Sequence, residues 1–376
     1  MPTYNPKNER IKRQYLTYLR EAKRQSEASL DGVAAALARF ELHSRYRDFK
    51  AFHHQQAVAF KHHLAAQDSR ATGEKLSKAT QYSTLSHLKR FFQWLAGQPG
   101  YKSSVTYAAA DYFNLPDKER RIATAHRLRP APTLEQIKHV ISVMPAGTEI
   151  EWRNRSLVAF ILLTGARDCA VASLKLKHVD LAAGCVQQDA REVATKFSKT
   201  FTTYFFPVGD DISQIVADWV GFLRHERLWG NDDPLFPKTR IAVGANNNFA
   251  AAGIDRAHWS NATPIRQIFR QAFAAAGLPY FNPHSFRSTL AALGERLCQT
   301  PEAFKAWSQN LGHEGVLTTF YSYGSVATTR QGEIIRGLAS GVGAQGAVTA
   351  EAFQAMLRQL QSPAVLKALV GKGDSN

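Results

Sequence analysis

The chain has 376 residues, with 47 lysines and arginines against 31 acids, a net charge of +16 and a pI near 9.8. That length leaves room for two domains, and the longest strongly apolar run, LVAFILL from Leu157 to Leu163, is far too short to span a bilayer. Three widely spaced cysteines (Cys169, Cys185, Cys298) without CxxC spacing argue against a zinc or disulfide framework and fit a reduced cytoplasmic protein. The polar, basic start MPTYNPKNERIKRQ predicts no secretory leader. The charge is uneven. Residues 1–130 carry 23 basic and 11 acidic side chains, which leaves only +4 for the rest. Such a basic segment suits a polyanion such as nucleic acid.

In chain order, the stretch from Glu9 to about Arg129 reads as four or five helices. NERIKRQYLTYLREAKR repeats apolar residues at Ile11, Tyr15, Leu16, Tyr18 and Leu19, with basic residues between them. LSKATQYSTLSHLKRFFQWLAG offers Ser77 and Thr80 as caps, a stripe of Tyr82, Leu85, Leu88, Phe91, Phe92 and Leu95, and a stop at Gly97. The paired histidines His53-His54 and His62-His63 fit DNA-facing or solvated positions better than metal ligation. HRLRPAPTLEQI is the predicted joint. Two prolines stiffen it, and Thr133 with Gln136 makes a capping box.

Beyond the joint the pattern predicts helices at Leu134–Met144 and Trp152–Leu163, then the turn TGAR. CVQQDAREVATKFSKTFTTYFFPV has the β-branched and aromatic content of a short antiparallel sheet. A helix over Ile212–Leu228 follows, then GANNNFAAAGIDRAHWSNA as a polar loop, and helices beginning near Pro264, His284, Pro301 and Val316. GLASGVGAQGA reads as a linker to one or two terminal helices. The expected fold is mainly α with a small antiparallel β-sheet.

Several residues carry possible chemistry, and each segment alone also fits an ordinary structural role. Arg167 follows a Gly turn behind an apolar helix, where a charge needs an anion or a partner such as Asp168 or Asp180. NPHSFRSTL places His284 and Arg287 on one face at a helix start, an arrangement suited to phosphate. Lys199 sits in the loop of the predicted hairpin. LGHEGVLTTFYSYG brings His313 and, eight and ten residues on, Tyr321 and Tyr323.

In this order, behind a basic helical domain, these segments resemble the tyrosine recombinase (phage integrase) family over nearly the whole chain. TGAR resembles the family's first-arginine box and assigns Arg167. SKT, with Pro207 eight residues after Lys199, resembles the lysine hairpin and favours Lys199, with Lys196 as the alternative. HSFR matches the HxLR box, giving His284 and Arg287 with Phe286 in place of Leu, and LGH gives His313. Two positions depart from the pattern. Ala170 stands where the family usually has an acid, so Asp168 substitutes for it or the site is held differently. The usual tyrosine lies nine residues after the histidine, but that position is Ser322, with Tyr321 and Tyr323 on either side. Two residues apart on a helix is about 200° of rotation, so the two cannot enter one pocket. Tyr321 extends the apolar row of Val316, Leu317 and Phe320, whereas Tyr323 precedes Gly324, and Tyr323 is favoured as nucleophile.

The resemblance implies a metal-independent DNA strand transferase with no cofactor, working through a 3′-phosphotyrosine. It implies a core-binding domain (1–130), an α+β catalytic domain (131–340) and a linker with helical tail (341–376). It also implies double-stranded DNA sites as partners, a homotetramer on DNA with the tail exchanged between protomers or folded onto its own domain, a cytoplasmic, nucleoid-associated location and a mobile element as context. The alternatives are type IB topoisomerase-like relaxation and a non-catalytic DNA-binding relative.

Overall fold

The computed structural model describes residues 4–69, 73–125, 130–243 and 247–313. The chain divides into two units, one ending at His126 and the other beginning at Arg127.

The first unit is built from α1 (Pro6–Glu21), α2 (Glu27–His43), α3 (His54–Ala66), α4 (Lys78–Leu95) and α5 (Asp117–Thr124). Caps lie where short polar residues precede the apolar stripes. Asn5 accepts from the amides of Lys7 and Asn8 at the start of α1, and Ser77 accepts from Thr80 at the start of α4. The stripe of α4 meets a set of phenylalanines, with Phe52 stacked on Phe92 at 3.8 Å and Phe40 edge-on to Phe92 at 5.3 Å. A polar pair, Asn8 and Glu41, is sealed inside. Asn8 donates to Glu41 Oε1 (3.2 Å) and to the Arg47 carbonyl (2.9 Å), and accepts from the Phe49 amide (3.0 Å). Lys12 closes the network on Glu41 at 2.5 Å, so the buried carboxylate has both a cation and a donor.

The second unit begins with α6 (Leu134–Val143), whose Thr133–Gln136 capping box forms as the sequence predicts. A second box, Thr148 with Glu151, starts α7 at Glu149, earlier than the apolar run suggests. From Ser156 to Thr164 every residue of α7 (Glu149–Thr164) is buried, as a helix that is apolar all round must be. The short α8 (Asp168–Val171) follows the TGAR turn. Strands β1 (Val179–Asp180), β2 (Cys185–Gln188) and β3 (Phe201–Tyr204) form the expected antiparallel sheet, in the order β1-β2-β3. After α9 (Asp210–Gly221) come β4 (Thr239–Val243) and β5 (Phe249–Ile254), then α10 (Thr263–Ala275), α11 (Ser285–Leu297) and α12 (Pro301–Asn310).

The β4–β5 hairpin corrects the sequence reading, which made 244–262 a loop and allowed one sheet only. Val243 pairs with Phe249 and Thr239 with Ile254. The Ala-rich, Gly-containing β5 has low strand propensity, so its signal was absent. Contacts from outside the ribbon fix its root: buried Arg153 of α7 donates to the Pro237 carbonyl (2.9 Å) and to Thr239 Oγ1 (3.0 Å). Among the described residues no helix is long and apolar enough to cross a membrane. The helix read near Val316 and the terminal helices lie outside the described residues.

Candidate active site

Four segments of the second unit converge, and Arg287 is the joint between three of them. It sits in the first turn of α11 with only 2% of its surface exposed. Its guanidinium donates to the Gly165 carbonyl of the TGAR turn at 2.6 Å, to the Leu311 carbonyl, and to His313 Nε2 at 3.0 Å. A guanidinium only donates. His313 Nε2 therefore accepts, and the neutral ring carries its proton on Nδ1.

The TGAR turn is held against the same elements. Gly165 closes α7 in the left-handed conformation (φ +61°), with its amide on the Ile161 carbonyl. A Cβ there would lie 3.0 Å from Leu311 Cδ2 and 3.1 Å from Leu290 Cδ1, so the turn is pressed onto both the LGH segment and α11. Arg167 follows as the residue preceding α8.

The lysine loop is the β2–β3 connection. Ala190 donates to Thr200 Oγ1 (3.1 Å) across its neck, and Ala194 donates to Ser173 Oγ (2.8 Å) on the chain after α8. Glu192 at its base pairs with Lys177 (2.9 Å) and Lys175 (3.1 Å). Lys196 on this loop is exposed and Lys199 is half-buried. Lys196 acts on His284, and Lys199 acts on His313.

The electrostatics follow from this crowding. His313 is pushed down to about 3, first by burial and then by Arg287, Arg167, His284 and Lys199. His284 at the head of α11 is pushed down to about 4 by the protein crowding its ring, then by Arg287, Arg167 and Lys196, with Asp168 opposing. His284 as a whole residue keeps solvent contact, so burial is the firmer cause for His313. Near pH 7 both imidazoles are neutral, with the charges of Arg167, Arg287, Lys196 and Lys199 close by.

Unfolded histidines bind a proton below about 6.5, and these two refuse it until about 4 and 3, so acid favours the unfolded chain. The midpoint of thermal unfolding should fall as pH drops from about 6.5 toward 4, and His313→Gln should fall less steeply over the same window. Parallel slopes in wild type and variant would contradict the assignment.

Of the residues expected from sequence, the structure brings Arg167, Lys196, Lys199, His284, Arg287 and His313 into one electrostatic neighbourhood. Tyr321 and Tyr323 lie outside the described residues. Ala170 is buried and apolar, while Asp168, two residues before it, accepts from Arg266 Nε of α10 at 2.7 Å. Sequence reading missed Arg266 because nothing in the spacing links residues 98 positions apart. Among the described residues no group of three His, Cys, Asp or Glu could hold a metal ion.

Residues 133–330, just over half the chain, match the model of the phage integrase family. The chain belongs to the phage integrase family. Among curated relatives it is similar to the tyrosine recombinase XerC of Lactobacillus delbrueckii subsp. bulgaricus, 26% identical over 256 residues, covering 66% of this chain and 73% of that one. Among solved structures it is similar to a lambda integrase dimer bound to a COC′ core site (TM-score 0.57, 12% identity, 84% of this chain and 95% of that one). It is similar also to the XerH site-specific recombinase bound to a palindromic difH substrate in a post-cleavage complex (TM-score 0.54, 19% identity, 86% and 83%). At these identities the structural likenesses show the fold: this integrase-family chain has the mainly helical architecture of those recombinases.

Proposed function

We propose that Arg167, Lys199, His284, Arg287, His313 and Tyr323 form the active site with which this chain cleaves and rejoins DNA. Family membership makes it a tyrosine-type site-specific DNA recombinase. The observation that carries the site is Arg287, buried and bridging the TGAR turn, the HSFR helix and the LGH turn through one guanidinium.

Breaking a phosphodiester without a metal needs an attacking oxygen, neutralisation of two non-bridging oxygens and a proton for the departing 5′-oxygen. Tyr323 supplies the attack and conserves bond energy as a 3′-phosphotyrosine, so resealing needs no ATP. Arg167 and Arg287 neutralise the phosphoryl oxygens with forked donors. His313 can add its Nδ1–H to a phosphoryl oxygen. Neutral His284 can take the tyrosine proton. Lys199 protonates the 5′-oxygen, with Lys196 as the alternative. Asp168, held by Arg266 and acting on His284, takes the orienting part of the acid absent at Ala170.

Residues 1–130 form the DNA clamp in this reading, on the strength of their local charge, residues 131–340 the catalytic domain, and 341–376 a linker and tail for a neighbouring protomer. The chain acts as a tetramer on two duplex sites, in the cytoplasm and on the nucleoid, on behalf of a mobile element. Covalent trapping tests the chemistry. A duplex selected from a random-sequence pool for binding to the full-length chain is nicked near its centre and incubated with protein in chelator. A denaturation-resistant protein–DNA band is expected, and tight binding with no band would leave the chain as a DNA-binding relative without turnover.

A further inference from the structure

The edge of the lysine hairpin is gripped by one side chain from the end of α12. Among the described residues β3 is the outer strand of its sheet, and no described strand pairs with the outward backbone groups of Tyr204. Asn310 supplies what a strand would. Its Oδ1 accepts from the Tyr204 amide at 2.7 Å, and its Nδ2 donates to the Tyr204 carbonyl at 2.9 Å. Its own carbonyl accepts from Thr203 Oγ1 at 3.1 Å, and that hydroxyl accepts from buried Gln188 of β2 at 3.1 Å. The other end of β3 is held as closely. Gly312 (φ +73°) lies so near the Phe201 ring that a Cβ would meet Cζ at 2.8 Å. Lys199 is two residues before Phe201, and His313 is three residues after Asn310.

We propose that Asn310 is a positioning residue: its amide clasp on Tyr204 sets the lysine loop against the LGH turn, so that the general acid reaches the leaving 5′-oxygen. This rests on the reading of Lys199 as that acid. In the step concerned, the tyrosine oxygen bonds to phosphorus as the P–O5′ bond breaks. The electron pair goes to O5′, which takes a proton from the ammonium. A half-buried amide making two backbone bonds would otherwise matter only for stability.

The two roles separate when the leaving atom is changed. In a nicked duplex with a 5′-bridging sulfur at the scissile position, the departing thiolate needs no proton, so loss of the acid is no longer felt. In full-length protein, Asn310→Ala should slow single-turnover cleavage of the oxygen duplex by about 10- to 100-fold, and that of the sulfur duplex by less than about threefold, with DNA affinity changed no more than about threefold. Asn310→Asp keeps the acceptor for the Tyr204 amide and loses the donor, and should fall between wild type and Ala on the oxygen duplex alone. Equal losses on both duplexes would reduce the clasp to a structural contact, and no loss on either would dismiss it. Lys199→Ala is the control for the underlying reading. If sulfur fails to restore Lys199→Ala, the acid assignment falls and the clasp's stated role falls with it; if sulfur restores Lys199→Ala but not Asn310→Ala, only the clasp falls.

Discussion

Replacing Arg287 with Ala should lower single-turnover cleavage by at least about 10³-fold, the upper end for loss of one positioned donor. The reason for the upper end is that this guanidinium does two things at once. In the proposed mechanism it neutralises charge on the phosphoryl group, and in the structure it holds His313 Nε2 and the Gly165 and Leu311 carbonyls. Without it the tautomer and orientation of His313 are no longer set. Lys should not rescue, because a single ammonium cannot span acceptors that a flat fork reaches together. Stability moves much less. Two buried carbonyls lose a charged donor, at about 1–3 kcal/mol for an unsatisfied group, but the variant also removes a cation from beside Arg167, Lys199 and two histidines. The variant should therefore remain folded at 25 °C by circular dichroism while covalent complex formation collapses. Cleavage within tenfold of wild type would take Arg287 out of the chemistry.

Gly294→Ala should destabilise the second unit, against the ordinary preference of helices for Ala. In a helix interior that change contributes about 1 kcal/mol of stability. Here a Cβ would meet Trp307 Nε1 at 2.5 Å and Cδ1 at 2.6 Å. The indole cannot easily retreat, since Nε1 donates to the Leu290 carbonyl at 2.9 Å and the ring packs on Phe206 with centroids 4.8 Å apart. Overpacking costs about 1–3 kcal/mol, and losing the indole hydrogen bond adds about 0.5–1.5 kcal/mol. Strain wins, and the melting midpoint should drop on the order of 5 °C. Because α12 runs directly into Leu311, Gly312 and His313, cleavage should fall as well. Adding Trp307→Phe, which removes the atoms nearest the new methyl group, should recover much of the loss, a coupling of at least about 1 kcal/mol in a double-mutant cycle. Additive effects would show that α11 and α12 do not meet at this pair.

The sequence made the helices legible where polar caps met apolar periodicity, as at Ser77 and Thr133, and the first sheet where β-branched and aromatic residues cluster. The site segments were legible as separate boxes, since TGAR, HSFR and LGH each carry their own turn or helix start. What holds the boxes together was not. Asn310 on Tyr204, Arg266 on Asp168 and Trp307 on Gly294 join residues that are distant along the chain or distinctive only through packing, and ordinary side chains do this work. Strand β5 was missed for a different reason: alanine and glycine give no β signal, and its pairing with β4 and the hold of Arg153 at the ribbon's root override propensity.

Covalent trapping on the nicked, selected duplex, with wild type, Tyr321→Phe and Tyr323→Phe side by side, tests the central claim most directly. A denaturation-resistant band is expected for wild type and Tyr321→Phe and none for Tyr323→Phe, with all three binding the duplex equally. A band that survives Tyr323→Phe and is lost in Tyr321→Phe would keep the chemistry and move the nucleophile. A band that survives in both variants would contradict attack by either tyrosine.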